Sequence, residues 1–365
     1  MHKLGLALFL TAATGTACAQ SNVTIYGRLN TGLESLRSSD SGSTDATVTR
    51  LSNYRSVLGF RGTEDLGGGL KAIFQIEGTL ALDTGAGGLA SRDTRVGLEG
   101  TAGTLFIGNW NLPYNTATAG LDPFYPTTAG YMSIMGNGAG ATVSNTSDTS
   151  SFDRRQQNSV HYWSPEWHGM QLRVARSAAE ERPASGAKPY LNSGAVVFEN
   201  GSWYATAAIE RHHEYQGPGT SDTGAKLGAA YRTGDTRVAV IGEQLKYELA
   251  AGTLKRRAAY VSVTHQVGRH AFKLGVARAG DGKGSAADGA QMGKVRKGVD
   301  TGATHYTAGY DYLLSKRTTM FAFYTHIKNE RNAGVDFAIN GLGANGGASP
   351  GATLQGASLG LRHNF

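Results

Sequence analysis

The sequence predicts an all-β chain whose sixteen antiparallel strands close into one membrane-spanning barrel. Three observations predict it. Segments of about ten residues recur along the chain with apolar and polar side chains in alternation, and a strand turns successive side chains to opposite faces. The links between segments are by turns very short and much longer. No apolar run approaches the roughly 18 residues of a membrane helix, and charged residues are only 17% of a chain whose mean hydropathy is −0.29.

Taken in order, the first strand is 22–36, where Val23, Ile25 and Leu29 oppose Thr24, Tyr26 and Arg28. Seven hairpins follow. Strands 57–64 and 70–82 flank Leu66-Gly67-Gly68-Gly69, and 92–100 and 104–110 flank Thr101-Ala102-Gly103. Strands 157–163 and 170–177 flank residues 164–169, and 191–199 and 202–212 flank Asn200-Gly201. Strands 224–233 and 236–248 flank Gly234-Asp235, 254–266 and 270–280 flank Val267-Gly268-Arg269, and 301–313 and 317–329 flank Leu314-Ser315-Lys316. Short Gly-bearing links between alternating segments are hairpin signals. The last strand is 353–365. The other eight connections, 37–55, 83–91, 111–156, 178–190, 213–223, 249–253, 281–300 and 330–352, read as long and polar.

A soluble sandwich would alternate in the same way. It would not require short links at one rim and long loops at the other, which is the pattern of barrels that cross a membrane with strands. In lipid every backbone N–H and C=O must be paired within the sheet, so the sheet keeps no edge and the first and last strands must pair. Trp167, Tyr312 and Phe365 fall near the short-link rim and fit an interfacial aromatic girdle. Ala357, Leu359, Leu361 and Phe365 share one parity of the last strand. A chain ending on such a ring needs an apolar surface waiting for it, since most chain ends are frayed and polar.

At the other end, Lys3 precedes an apolar core, 4–10, and Ala17-Cys18-Ala19. That is the layout of a cleaved signal peptide, 1–19, leaving 20–365 as one barrel domain. Cys18 is the only cysteine. Cleavage removes it, and with it any disulfide, thiolate metal site or thiol nucleophile. The net charge of +7 falls by one when Lys3 leaves. The basic residues are scattered singly among acids, which excludes a nucleic-acid stripe.

Several motifs point to enzymes and fail on context. Gly356-Ala357-Ser358-Leu359-Gly360 matches a nucleophile elbow, but it lies in a continuous strand and no acid follows. Ser185-Gly186-Ala187-Lys188 lies in a loop without its partner motifs. His212 and His213 are adjacent on a strand and face opposite ways, so they do not chelate one ion. Gly280-Asp281-Gly282-Lys283-Gly284-Ser285 lacks the phosphate-loop spacing. No enzyme, cofactor or metal site is expected.

Asn22-Val23-Thr24-Ile25-Tyr26-Gly27, the hairpin from Leu58 through Ala72, Asn158-Ser159-Val160-His161-Tyr162, Leu314-Ser315-Lys316-Arg317-Thr318 and the terminal Leu361-Arg362-His363-Asn364-Phe365 together resemble the general Gram-negative porins of the β-proteobacterial type. The resemblance implies a homotrimer in the outer membrane, each barrel a water-filled channel for passive diffusion of small hydrophilic solutes and ions. It implies that the third long loop, 111–156, folds inward as a constriction. The implied partners are outer-membrane lipid and lipopolysaccharide, with the barrel-assembly machinery reading Phe365. The sequence departs from the family at Asn109-Trp110, His161 and Trp163, and Asp122 is the one acid between Asn111 and Ser147.

In such a channel, rings of fixed charge bias which ions enter. By lumen parity Arg28, Arg55 and Arg95 are expected on the wall, with Arg61, Lys71 and Arg173 as further candidates and Asp122 as the loop acid. Few loop acids on a positive chain predict weak anion preference. The alternative is a substrate-selective outer-membrane channel.

Overall fold

The computed structural model describes residues 22–39, 46–343, 345, 347 and 349–365. The expected signal peptide, 1–19, lies outside the described residues. Sixteen antiparallel strands form a closed barrel. They are β1 (Asn22–Ser39), β2 (Ala46–Asn53 and Ser56–Gly67), β3 (Leu70–Leu80), β4 (Thr94–Gly100), β5 (Gly103–Asn111) and β6 (Arg155–Trp163). Next come β7 (Met170–Ser177), β8 (Tyr190–Asn200), β9 (Trp203–His213), β10 (Ser221–Thr233) and β11 (Thr236–Leu249). The barrel ends with β12 (Gly252–Val267), β13 (His270–Ala279), β14 (Ala303–Leu313), β15 (Thr318–Asn329) and β16 (Thr353–Asn364). Each strand pairs with its neighbours in sequence, and β1 closes the ring against β16 in the register Arg28↔Asn364 to Ser39↔Thr353.

Two connections differ from the sequence expectation. Residues 46–53 are not loop. They extend β2 and pair with β1 from Ser38↔Ala46 to Thr31↔Asn53. Their side chains are mostly polar on both parities, which hid the strand. Residues 249–253 are not a long loop either: Leu249 pairs with Gly252, leaving a two-residue link. The short links turn where expected. Gly201 and Gly268 take φ of 54° and 57°, a left-handed conformation that glycine adopts without a Cβ penalty and that tight hairpins need.

Parity sorts the faces. Val23 is 61% exposed and Leu33 66%, while Asn30 and Glu34 on the opposite parity of β1 are buried inside. The same split runs round the barrel: Ile107, Val174, Ile209, Leu227, Val240, Leu274 and Leu359 all face outward. At the short-link rim, Trp203 stacks near Tyr231 (4.4 Å between ring centres), and Phe272 near Tyr310 (5.4 Å). Tyr312 lies 5.2 Å from His270, and Trp167 is exposed on the β6–β7 link. Ser358 bonds Tyr54 inside the lumen, whereas His363 sits on the other parity, so the elbow-like motif has no catalytic geometry. His212 is buried beside Glu210 (2.8 Å) and His213 faces out beside Tyr190.

The β5–β6 connection, 112–154, folds inward. It carries helix α1 (Pro113–Ala119) and a 3-10 turn at Tyr131–Ser133. Leu112, Tyr114, Leu121, Tyr131, Met132, Ile134, Met135 and Phe152 are all fully buried. Part of the apolar interior is therefore inside the barrel, where Ile134 and Met135 cluster with Val335, Phe337 and Leu342 of the β15–β16 connection.

Candidate functional site

The inward loop runs along one half of the inner wall. Tyr114 donates to Glu243 (2.9 Å), Tyr204 to the Ala117 carbonyl (2.6 Å), Ser262 to the Leu121 carbonyl (3.0 Å) and Arg256 to the Ile134 carbonyl (2.6 Å). Lys226, fully buried on β10, bonds Asp153 at 2.5 Å, with Glu243 at 3.6 Å. The wall is notched to receive the loop. A Cβ on Gly228 would come 2.7 Å from Leu121, and one on Gly309 2.7 Å from Phe124. Lumen-facing glycines thus set how closely the loop approaches β10 and β14.

The other half of the wall carries the arginines that the loop leaves without carboxylate partners among the described residues. Between its two segments β2 bends at Arg55, whose φ is 55°. Tyr54 and Ser56 keep the inward parity of Ser52, and from Val57, which pairs with Arg28, the lumen parity moves to the odd positions, as a bulge re-aims side chains. Arg55 reaches the loop, with Nη1 3.4 Å from the Tyr125 hydroxyl and the guanidinium over the ring. Arg28 donates to the Arg55 carbonyl (2.9 Å). Neither arginine has a carboxylate partner among the described residues. Arg92 and Arg155 lie within electrostatic reach of Arg55 but are paired, with Glu77 (2.8 Å) and Asp93 (2.6 Å).

Arg95 stands against an aromatic box. Its guanidinium is 4.6 Å from the Phe106 ring centre, 4.3 Å from Trp110 and 5.4 Å from Trp163. Its Nε and Nη1 make no hydrogen bond. Trp110, His161 and Trp163, the departures from the family pattern, build this box, with His161 stacked on Phe106 at 4.7 Å.

The other expected residues are dispersed. Arg173 lies over Trp163 (5.0 Å). Arg61 covers Tyr26 (5.1 Å), and Lys71 faces Glu99 at 3.9 Å near the short-link rim. Asp122 is buried. Its carboxylate accepts from the Phe124 and Tyr131 backbone N–H groups and from the Tyr260 hydroxyl (3.0, 2.8 and 2.8 Å). Burial pushes its pKa up to about 6. Asp122 fastens the loop, its buried carboxylate turned towards Phe124, Tyr131 and Tyr260 and not towards the open lumen. Arg92, Arg155, Glu77, Asp93 and Tyr125 were missed by the sequence reading. Glu77 was legible, since it shares the parity of Lys71 on β3. Arg155 was hidden because it is the first residue of β6.

A closed barrel with an apolar outer face and a charged inner wall, narrowed by a loop from within, defines a transmembrane channel. The chain belongs to the Gram-negative porin family, whose model matches residues 6–332. It is 28% identical to outer membrane porin protein 32 of Delftia acidovorans over 372 residues, covering 100% of both chains. It is 27% identical to the major outer membrane protein P.IB of Neisseria gonorrhoeae over 311 residues, 82% of this chain and 81% of that one. Among solved structures, an anion-selective porin from Comamonas acidovorans superposes with a TM-score of 0.79 at 24% identity, covering 95% of this chain and 100% of that one. The trimer form of OmpT from Vibrio cholerae follows the same fold with a TM-score of 0.64 at 16% identity, covering 94% and 99%. The protein is an outer-membrane porin, a channel and not an enzyme.

Proposed function

We propose that the channel admits small hydrophilic solutes and ions by passive diffusion with a weak preference for anions. One observation carries the preference: Arg28, Arg55 and Arg95 face the lumen without carboxylate partners, while the carboxylates nearest them are bound to Arg92 and Arg155. Asp122 and Asp153 are spent on holding the loop. The net charge that an entering ion meets is therefore positive, which lowers the local potential for anions. A relative of the full chain length is a porin, and a solved neighbour is titled anion-selective. Arg61 and Arg173 extend the positive lining towards the periplasmic mouth in this reading, while Lys71 is offset by Glu99.

The native assembly is a homotrimer in this proposal, inserted by the barrel-assembly machinery through the terminal Phe365 strand and surrounded by lipopolysaccharide on its outer rim. Trimerisation draws support from the trimer form of OmpT. Recording the purified protein in a planar bilayer under a salt gradient tests both parts. Three equal ohmic steps per insertion and a reversal potential on the anion side are expected. A reversal potential on the cation side overturns the preference, and single steps overturn the trimer.

A second reading, a substrate-selective channel, rests on the aromatic box around Arg95. A cation held among aromatic rings at the lumen wall suits a planar anion. Saturable block of the current by one such solute would favour this reading over unselective diffusion.

A further inference from the structure

On the short-link side of the inward loop, the lumen wall sets arginines and aromatic rings in alternation from β4 to β11. Trp163 on β6 and Arg173 on β7 are paired directly across the sheet. The Trp163 ring is shared: the Arg95 guanidinium stands 5.4 Å from its centre and that of Arg173 5.0 Å. Further round the wall, Tyr204 on β9 lies within electrostatic reach of both Arg173 and Arg237, the latter on β11. Tyr204 and Arg237 each stand second in their strands, beside short links, so the row descends towards that rim. Arg95, Trp163, Arg173, Tyr204 and Arg237 are all half-buried and keep part of their surface open to the lumen. Phe106 and Trp110, which complete the box around Arg95, are buried.

The charges of this row are not spent. Arg95, Arg173 and Arg237 have no carboxylate partner among the described residues. Asp93 and Glu99 act on Arg95 only from a distance, since they pair with Arg155 and Lys71. Glu199 lies within electrostatic reach of Arg173 and Arg237 and pairs with neither. Arg173 donates Nε to the Gln171 amide oxygen (2.7 Å), and Arg237 donates Nη1 to the Gly120 carbonyl (2.9 Å). Each keeps further N–H groups for a solute. A guanidinium on an aromatic face is more weakly hydrated than an ammonium and offers a planar fork of donors that fits a carboxylate. The rings are held in place as well: Tyr204 donates to the Ala117 carbonyl (2.6 Å), and Trp163 packs edge-on against Phe106 (5.2 Å).

We propose that this row selects aromatic monocarboxylates, the carboxylate moving from Arg95 to Arg173 to Arg237 while the ring rests in turn on Trp163 and Tyr204. The proposal deepens the substrate-selective reading and rests on it. An inorganic anion uses only the guanidinium groups, and a neutral aromatic uses only the rings. A saturated carboxylate of similar size forgoes the ring-to-ring contact. An aromatic carboxylate uses both halves of the row at once.

Planar-bilayer recording of the full-length protein in chloride tests this, with benzoate and cyclohexanecarboxylate as probes of equal charge and similar size. Benzoate is expected to reduce the current saturably, at a half-blocking concentration about three-fold below that of cyclohexanecarboxylate. Trp163→Leu is expected to bring the two values together, and Trp163→Phe to keep most of the difference. Arg173→Lys keeps the charge but not the planar fork, and is expected to shrink the difference even if Trp163→Leu does not assemble. Both acids are compared within each sample, so a change in yield or in loop position affects them alike. Equal block by the two acids in the wild type overturns this proposal alone. A current that neither acid blocks overturns the substrate-selective reading with it. Inorganic phosphate blocking as strongly as benzoate overturns the proposal in favour of a general anion site. A difference that survives both Trp163→Leu and Arg173→Lys overturns the assignment to this row.

Discussion

The Phe365 ring lies over Gly27. The two residues exchange both backbone hydrogen bonds, at 3.0 and 3.1 Å, and a Cβ on Gly27 would stand 2.8 Å from ring atom Cε1. The chain terminus is thus the last rung of the seam between β1 and β16, and its side chain covers the first strand on the lipid-facing side.

Phe365→Asp is expected to reduce the yield of folded, heat-modifiable barrel several-fold, because it removes the apolar cover where the ring must close. Gly27→Val is expected to act in the same direction by displacing the ring. Electrophoresis of unheated samples measures the folded fraction. Any channels that do form should conduct like the wild type, since neither side chain reaches the lumen.

Arg28→Glu with Arg55→Glu reverses two unpartnered charges beside Tyr125. The reversal potential in a salt gradient is expected to change from the anion to the cation side. Arg95→Gln alone should weaken anion preference by roughly two-fold, with little change in unitary conductance, because the inward loop and its anchors are untouched.

Glu243 is the anchor of the inward loop. It accepts from Tyr114 and from the Gly136 backbone N–H (both 2.9 Å) and faces Lys226 and Arg256 at 3.6 and 3.9 Å. Glu243→Ala leaves buried cations undercompensated, a change that costs about 3–5 kcal/mol. The expected outcome is a lower melting temperature and a larger, noisier single-channel current as the loop leaves the wall. Glu243→Gln retains an acceptor oxygen and should fall between the two.

Asp122 makes loop attachment depend on pH. Its folded pKa is raised from 3.8 to about 6, by burial first, against the hydrogen bonds from Phe124, Tyr131 and Tyr260 and the nearby Lys273, itself paired with Asp311. The folded state then holds more protons than the unfolded state between those values, so stability falls as pH rises through this window. The contribution is favourable below about pH 4 and gone above about pH 6. Melting curves of wild type and Asp122→Asn from pH 4 to 7 check it: the wild type should lose stability relative to the variant as pH rises.

Much of the barrel was legible because alternation is a local property. Trp203, Ala205, Ala207 and Ile209 need no knowledge of the rest of the chain to show their shared face, and Gly234-Asp235 announces its own hairpin. Residues 46–53 escaped because both of their faces are mostly polar, so period-two alternation left no mark. The 249–253 link escaped because its length depends on pairing out to Leu249 and Gly252, which only the partner strand reveals.

For the site, the sequence by itself determined which charges turn inward: Arg28 and Arg95 follow from strand parity. Only the tertiary structure decided which of them are free. Asp122 is the sole acid in its stretch of loop and reads as an eyelet charge. It is instead consumed by Tyr260, 138 residues away in the chain. Arg92 and Arg155 carry the same guanidinium as Arg55 yet are neutralised by Glu77 and Asp93. Facing the lumen is settled by a two-residue period, whereas neutralisation is settled by which strands and loops come to lie side by side, and that is a matter of contacts beyond the local pattern.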